Sequence, residues 1–170
     1  MDNASELIKL AREKFGDLST ADEKVLNAVA RGEVADLRSD SDEDNDPAQA
    51  QHWSEERAFN ADRIAWLCTD APASALVTHR GIQLELARID ENLDLDWARV
   101  PFPLIFRRCA FSGPISLRFA EVPGLSFVGT HTRSLNAERL KVEGSVFLSD
   151  GFTAEGEGRL RGATIGGNLQ

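Results

Sequence analysis

The sequence predicts an α+β fold in which N-terminal helices cap a parallel β-solenoid. Within the first 80 residues, apolar residues recur at the spacings of three and four that line one face of a helix. From Ile82 onward, an apolar template returns about every 11 residues. Charge divides at the same place, since residues 1–80 hold 17 acidic and 9 basic residues and residues 81–170 hold 11 and 10. We therefore expect a helical region over 1–80 and a solenoid over 81–170.

Two amphipathic helices are predicted at the start of the chain. The first spans about residues 4–15, where alanine, leucine, isoleucine and phenylalanine share one face. A second runs from Thr20 to about Arg31, because Thr20 and Glu23 fit a capping box and Gly32 follows as a stop.

A flexible acidic loop is predicted over about residues 35–51, because this stretch is rich in carboxylates and has few apolar residues to bury. Calcium binding is the alternative interpretation of its alternating acids. Against it, the sixth position of such a loop is Asn45 instead of glycine, and the twelfth is Gln51 instead of glutamate. We expect no metal there, and a protein partner is the more plausible ligand of its acids, which are Asp40, Asp42, Glu43, Asp44 and Asp46.

The third predicted helix covers about residues 54–69, with Ser54 as its N-cap. A stack of coils leaves an unpaired strand edge at each end, and such edges recruit other chains unless they are covered. We expect this helix to be the N-terminal lid, with Trp66 and Leu67 closing onto Ile82 and Leu84 of the first coil.

The repeat of the C-terminal region has the spacing of short strands. Two apolar residues one position apart lie on the same side of a strand, whereas a helix needs spacings of three and four. Each copy is too short to hold a returning helix, so the chain must wind as a solenoid, with two copies and about 22 residues per coil and about four coils. The predicted inward residues advance in steps of 5 and 6: Leu84, Ile89, Leu95, Val100, Phe106, Phe111, Leu117 and Val122.

This pattern resembles the bacterial pentapeptide-repeat family over residues 81–170. Small residues such as Ala87, Ala98 and Ala120 stand two positions before an inward apolar residue, as they do in that family. The resemblance implies a right-handed parallel β-helix with four sides. The sequence departs from the family at alternate corners, where Ile82 and Leu93 are large.

No second lid is predicted after the last copy, where Gly166 and Gly167 lead into a new repeat. We expect either that the solenoid continues in a longer protein or that its last coil associates with another molecule.

Chemical motifs are scarce. His52, His79 and His131 are far apart in sequence and have no metal-ligand spacing, so surface or turn roles are expected. Cys68 and Cys109 fall in apolar stripes and are predicted to pack as inert side chains. We therefore predict no catalytic, cofactor-binding or metal-binding residue.

The preferred functional hypothesis is a non-enzymatic protein-interaction or scaffold module, expected in the cytoplasm without a membrane or nucleic-acid partner. The resemblance supplies an alternative, a DNA mimic that inhibits a topoisomerase, although the solenoid's net charge is only −1. A second alternative is an enzyme whose site the sequence does not reveal.

Overall fold

The computed structural model describes residues 2–41, 44–156 and 158–170. N-terminal helices are followed by a parallel β-solenoid of about 4 turns, which confirms the predicted fold class. The helices are α1 (Asn3–Phe15), α2 (Thr20–Arg31), α3 (Ala61–Thr69) and α4 (Ala71–Ser74).

Four parallel sheets form the walls of the solenoid. Wall A consists of β1 (Ala35–Asp36), β3 (Ile82–Glu85), β6 (Leu104–Arg107), β10 (Leu125–Ser126) and β14 (Val146–Phe147). Wall B consists of β2 (Ala58–Asn60), β4 (Arg88–Asp90), β7 (Ala110–Phe111), β11 (His131–Thr132) and β15 (Thr153–Ala154). Wall C consists of β5 (Leu93–Asp94), β8 (Ile115–Ser116), β12 (Leu135–Asn136) and β16 (Gly158–Arg159). Wall D consists of β9 (Glu121–Val122), β13 (Lys141–Val142) and β17 (Thr164–Ile165).

The register of the walls confirms the coil length predicted from the repeat. On wall A, Ile82 pairs with Leu104, Leu104 with Leu125, and Leu125 with Val146, so successive partners are 22, 21 and 21 residues apart. Each coil therefore uses two copies of the template and makes one strand or bridge for each wall.

The interior is filled by the residues predicted to point inward, and each of them is buried. Phe106 is fully buried, with its ring centroid 5.1 Å from that of Phe111 and 5.6 Å from that of Phe127. These rings join consecutive coils through apolar contact, which is the main source of stability in a stack of this kind.

The N-terminal cap differs from the single helical lid that the sequence predicted. Strand β1 pairs with β3 and strand β2 pairs with β4, so two strands of the N-terminal region cover the first edges of walls A and B. Helix α3 lies against β5 of wall C. Trp66 packs edge-to-face on Phe15 of α1, with the ring centroids 5.4 Å apart. The helices and the solenoid consequently share one apolar core.

Two predicted helix starts are wrong. The capping box of α2 is formed by Ser19 and Asp22, one residue before the predicted pair, because Ser19 has the extended backbone that an N-cap requires. Ser54 precedes a short 3-10 helix, Glu55–Arg57, and α3 begins only at Ala61. The chain between them is the strand β2, which satisfies its backbone groups by pairing with the solenoid.

Candidate interaction surfaces

The acidic segment over residues 35–51 contains regular structure, contrary to the loop expected from its composition. It holds β1 and two 3-10 turns within Pro47–His52. Among its predicted interaction residues, Asp40 and Asp44 are exposed, and the Asp46 side chain accepts a hydrogen bond of 3.0 Å from the backbone of Ala48. Asp42 and Glu43 lie outside the described residues.

Three arginines attach this segment to the outside of wall B. The guanidinium of Arg57 donates hydrogen bonds to the carbonyl oxygens of Asp44 at 2.7 Å and Leu86 at 3.1 Å. Arg108 donates to the carbonyl oxygen of Asn45 at 3.0 Å. Arg88 supplies a third anchor further along the chain. Main-chain carbonyls, which composition does not reveal, thus hold the segment in place.

Trp53 completes this attachment with apolar contact. It is buried in a small cluster with Ala50, Leu86 and Ala110 on the outer side of wall B. The Arg57 guanidinium carbon lies 3.6 Å from the centroid of the Trp53 ring, and burial lowers the pKa of Arg57, with Asp44 partly opposing that effect. The predicted outer basic ridge therefore contributes, through Arg108, to holding this segment.

A cleft of about 740 Å³ separates the acidic segment from α2. Its lining mixes cations with carboxylates: Lys24, Arg38 and Arg57 face Asp40, Asp44 and Glu56. Because the two signs are balanced there, the cleft has no clear preference for a charged ligand.

The corner between walls C and D carries a stacked column of planar side chains that the sequence analysis did not identify. Trp97 and Phe119, from successive coils, stack with ring centroids 4.2 Å apart and an interplanar angle of 1°. The guanidinium carbon of Arg139, in the next coil, lies 5.9 Å from the Phe119 ring centroid. We call these three residues the aromatic column. Trp97 is 71% exposed and Phe119 is 39% exposed.

The backbone of the column adopts an unusual conformation for such large residues. Trp97, Phe119 and Arg139 have φ angles of 66°, 59° and 56°, in the left-handed region that favours glycine. The equivalent residue of the following coil is Gly162, with φ of 72°. One signal in the sequence marked this corner, since Trp97 and Phe119 immediately precede the small residues Ala98 and Ala120 of the repeat.

Ion pairs on wall C hold the turns next to the column. Arg118 contacts Asp96 of the preceding coil through two nitrogens, at 3.1 and 2.9 Å. Burial disfavours ionisation of Asp96, but hydrogen bonds from Ser116 and Arg118 outweigh it and lower the pKa of Asp96. These pairs join consecutive coils and fix the spacing of the stacked rings.

A second exposed surface is an apolar groove of about 430 Å³ on the outside of wall A. Its main apolar residues are Pro103, Ile105, Pro123, Val128 and Phe147. The groove is shallow and contains few polar groups, so it provides apolar contact area without obvious directional recognition.

Groups suited to covalent or metal chemistry are sparse in the described part of the chain. Cys68 and Cys109 are buried free thiols, and burial raises the pKa of each to about 12. Within residues 2–41, 44–156 and 158–170, no cluster of three or more histidine, cysteine or acidic side chains could hold a metal ion. His52 and His79 are exposed, and His131 is half-buried on wall B.

None of the helices in the described ranges is long and apolar enough to cross a membrane. Comparison of the chain with protein families, curated proteins and solved structures finds no match.

Proposed function

We propose that this chain is a non-enzymatic protein-interaction module that presents the aromatic column on a rigid solenoid. The observation that carries this proposal is Trp97, a large ring that is 71% exposed on a left-handed backbone. A non-glycine residue in that conformation is strained by about 1 kcal/mol or more, and an exposed ring gains little from the core in return. Strained residues of this kind cluster at functional sites.

The stack makes the ring suitable for recognition. Phe119 supports one face of Trp97, and the coil below fixes the position of Phe119, so the surface is ordered before a partner arrives. Preordered aromatic groups lose little conformational entropy on binding, and they are frequent among the residues that dominate interface energetics.

We further infer that the solenoid is a variant of the pentapeptide-repeat β-helix, with the right-handed winding of that family. The four walls and the inward steps of 5 and 6 support this assignment. The large residues Ile82 and Leu93 at alternate corners are the main departure from the family pattern, and both fit inside the coil, where they are buried.

Partner capture followed by measurement with purified components tests the proposed function. Wild-type protein and the Trp97→Gly variant are used as baits, and proteins that prefer the wild type are identified, produced and titrated by calorimetry. We expect at least one partner to bind Trp97→Gly about tenfold or more weakly, which is a typical loss for an aromatic anchor.

A matched control removes another exposed apolar side chain, Val34, which is 40% exposed and precedes β1. The Val34→Ser variant should bind the partner as the wild type does. The proposal fails if every captured protein binds the wild type and Trp97→Gly equally, or if Val34→Ser weakens binding as much as Trp97→Gly.

A further inference from the structure

The aromatic column is closed at one end and open at the other. At the closed end, the guanidinium of Arg139 lies over Phe119. Phe119 covers one face of Trp97, and no ring or cation among the described residues stacks on the other face. The chain therefore completes the stack with a guanidinium at one end and leaves the ring at the other end exposed to solvent.

The charges beside the open end favour a cation. Asp94, on the same wall, is exposed, and no described cation lies within ion-pair distance of it. Its carboxylate accepts one hydrogen bond, from the backbone of Asp96 at 3.0 Å, which leaves its other oxygen available. The cation on the neighbouring wall, Arg99, is neutralised by Glu121 at 3.3 Å.

We propose that the open face of Trp97 and the carboxylate of Asp94 bind the guanidinium of an arginine in a protein partner. This inference rests on the proposed function and names the chemistry of the partner. A guanidinium is planar and weakly hydrated, so it stacks on an indole face while it donates hydrogen bonds to a carboxylate at its edge. A lysine ammonium is compact and strongly hydrated and fits this combination less well.

Titration of the full chain with short capped peptides tests this assignment directly. The peptides are glycine-arginine-glycine, its lysine counterpart, and its citrulline counterpart, which keeps the shape of arginine without the charge. The readout is the indole N–H resonances of Trp53, Trp66 and Trp97 in a ¹H–¹⁵N spectrum, and the resonance lost in Trp97→Gly identifies Trp97.

We expect the arginine peptide to shift the Trp97 resonance saturably while the buried Trp53 and Trp66 stay unchanged. The lysine peptide should bind several-fold more weakly, and the citrulline peptide should produce no saturable shift. The Asp94→Asn variant should weaken arginine binding about threefold or more, in line with the loss of an exposed ion pair. Unchanged Trp53 and Trp66 resonances in that variant show that it is folded.

Three results would overturn the assignment: no saturable shift with the arginine peptide, an equal shift with citrulline, or equal arginine affinity in wild type and Asp94→Asn. A thymidine oligonucleotide that shifts Trp97 when the arginine peptide does not would also overturn it and indicate base stacking. If the peptides fail while partner capture still depends on Trp97, only the arginine assignment falls. If capture is also independent of Trp97, the proposed function falls with it.

Discussion

Replacement of Trp97 by glycine should leave the fold nearly as stable as the wild type, because the ring is mostly outside the core. Glycine relieves about 1 kcal/mol of left-handed strain, loses about 0.5–1.5 kcal/mol of stacking, and adds about 0.5–1 kcal/mol of unfolded-chain entropy. The expected net destabilisation is between about 0 and about 1.5 kcal/mol. Truncation of a buried ring costs about 3–5 kcal/mol.

Urea unfolding followed by far-ultraviolet circular dichroism measures this difference without relying on tryptophan fluorescence. Trp97→Ala is the informative second variant, because alanine also lacks the ring but keeps the strain of a positive φ. We expect Trp97→Ala to be less stable than Trp97→Gly by up to about 1 kcal/mol. A loss above about 3 kcal/mol for Trp97→Gly would refute the surface role of the ring. A more stable alanine variant would refute the strain argument.

Three further predictions concern the coil, its ion pairs and its thiols. Phe106→Ala should destabilise the protein by about 3–5 kcal/mol in the same urea assay, because the fully buried ring leaves a cavity between coils. Asp96→Asn should cost about 1 kcal/mol near neutral pH, since it removes the paired contact with Arg118. Because the fold lowers the pKa of Asp96 below its ordinary value of 3.8, this difference should be complete above that pH and should disappear as the pH falls through the lower folded value. A wild-type advantage that grows on acidification would contradict this. Finally, a thiol reagent at about pH 8 should modify Cys109 and Cys68 slowly in the folded protein and rapidly in urea, because burial raises both pKa values to about 12. Equal rates in the two states would show that the thiols are accessible.

The interior of the solenoid could be predicted in detail because it depends on local rules. Alternation of apolar residues decides which side of a short strand faces inward, and the return of the pattern decides how many residues make one coil. Phe106, Phe111 and Leu117 were assigned to the interior on this basis, and all three are buried.

The cap could not be predicted in the same way. Residues 35–36 and 58–60 become strands because walls A and B offer them unpaired backbone groups, and a two- or three-residue strand leaves almost no pattern in the sequence. The acidic segment likewise owes its position to Arg57 and Arg108, which bind its carbonyl oxygens from distant parts of the chain.

The candidate site lies between these two cases. The sequence alone determined that Trp97 and Phe119 occupy the same position of two neighbouring copies, one residue before a small residue of the core. Only the tertiary structure decided that this position is a left-handed corner at which the two rings stack in parallel. The physical reason is that the direction of a side chain along a strand follows from local alternation, whereas contact between coils depends on how the backbone turns at each corner and on the register set by pairing across 21 or 22 residues.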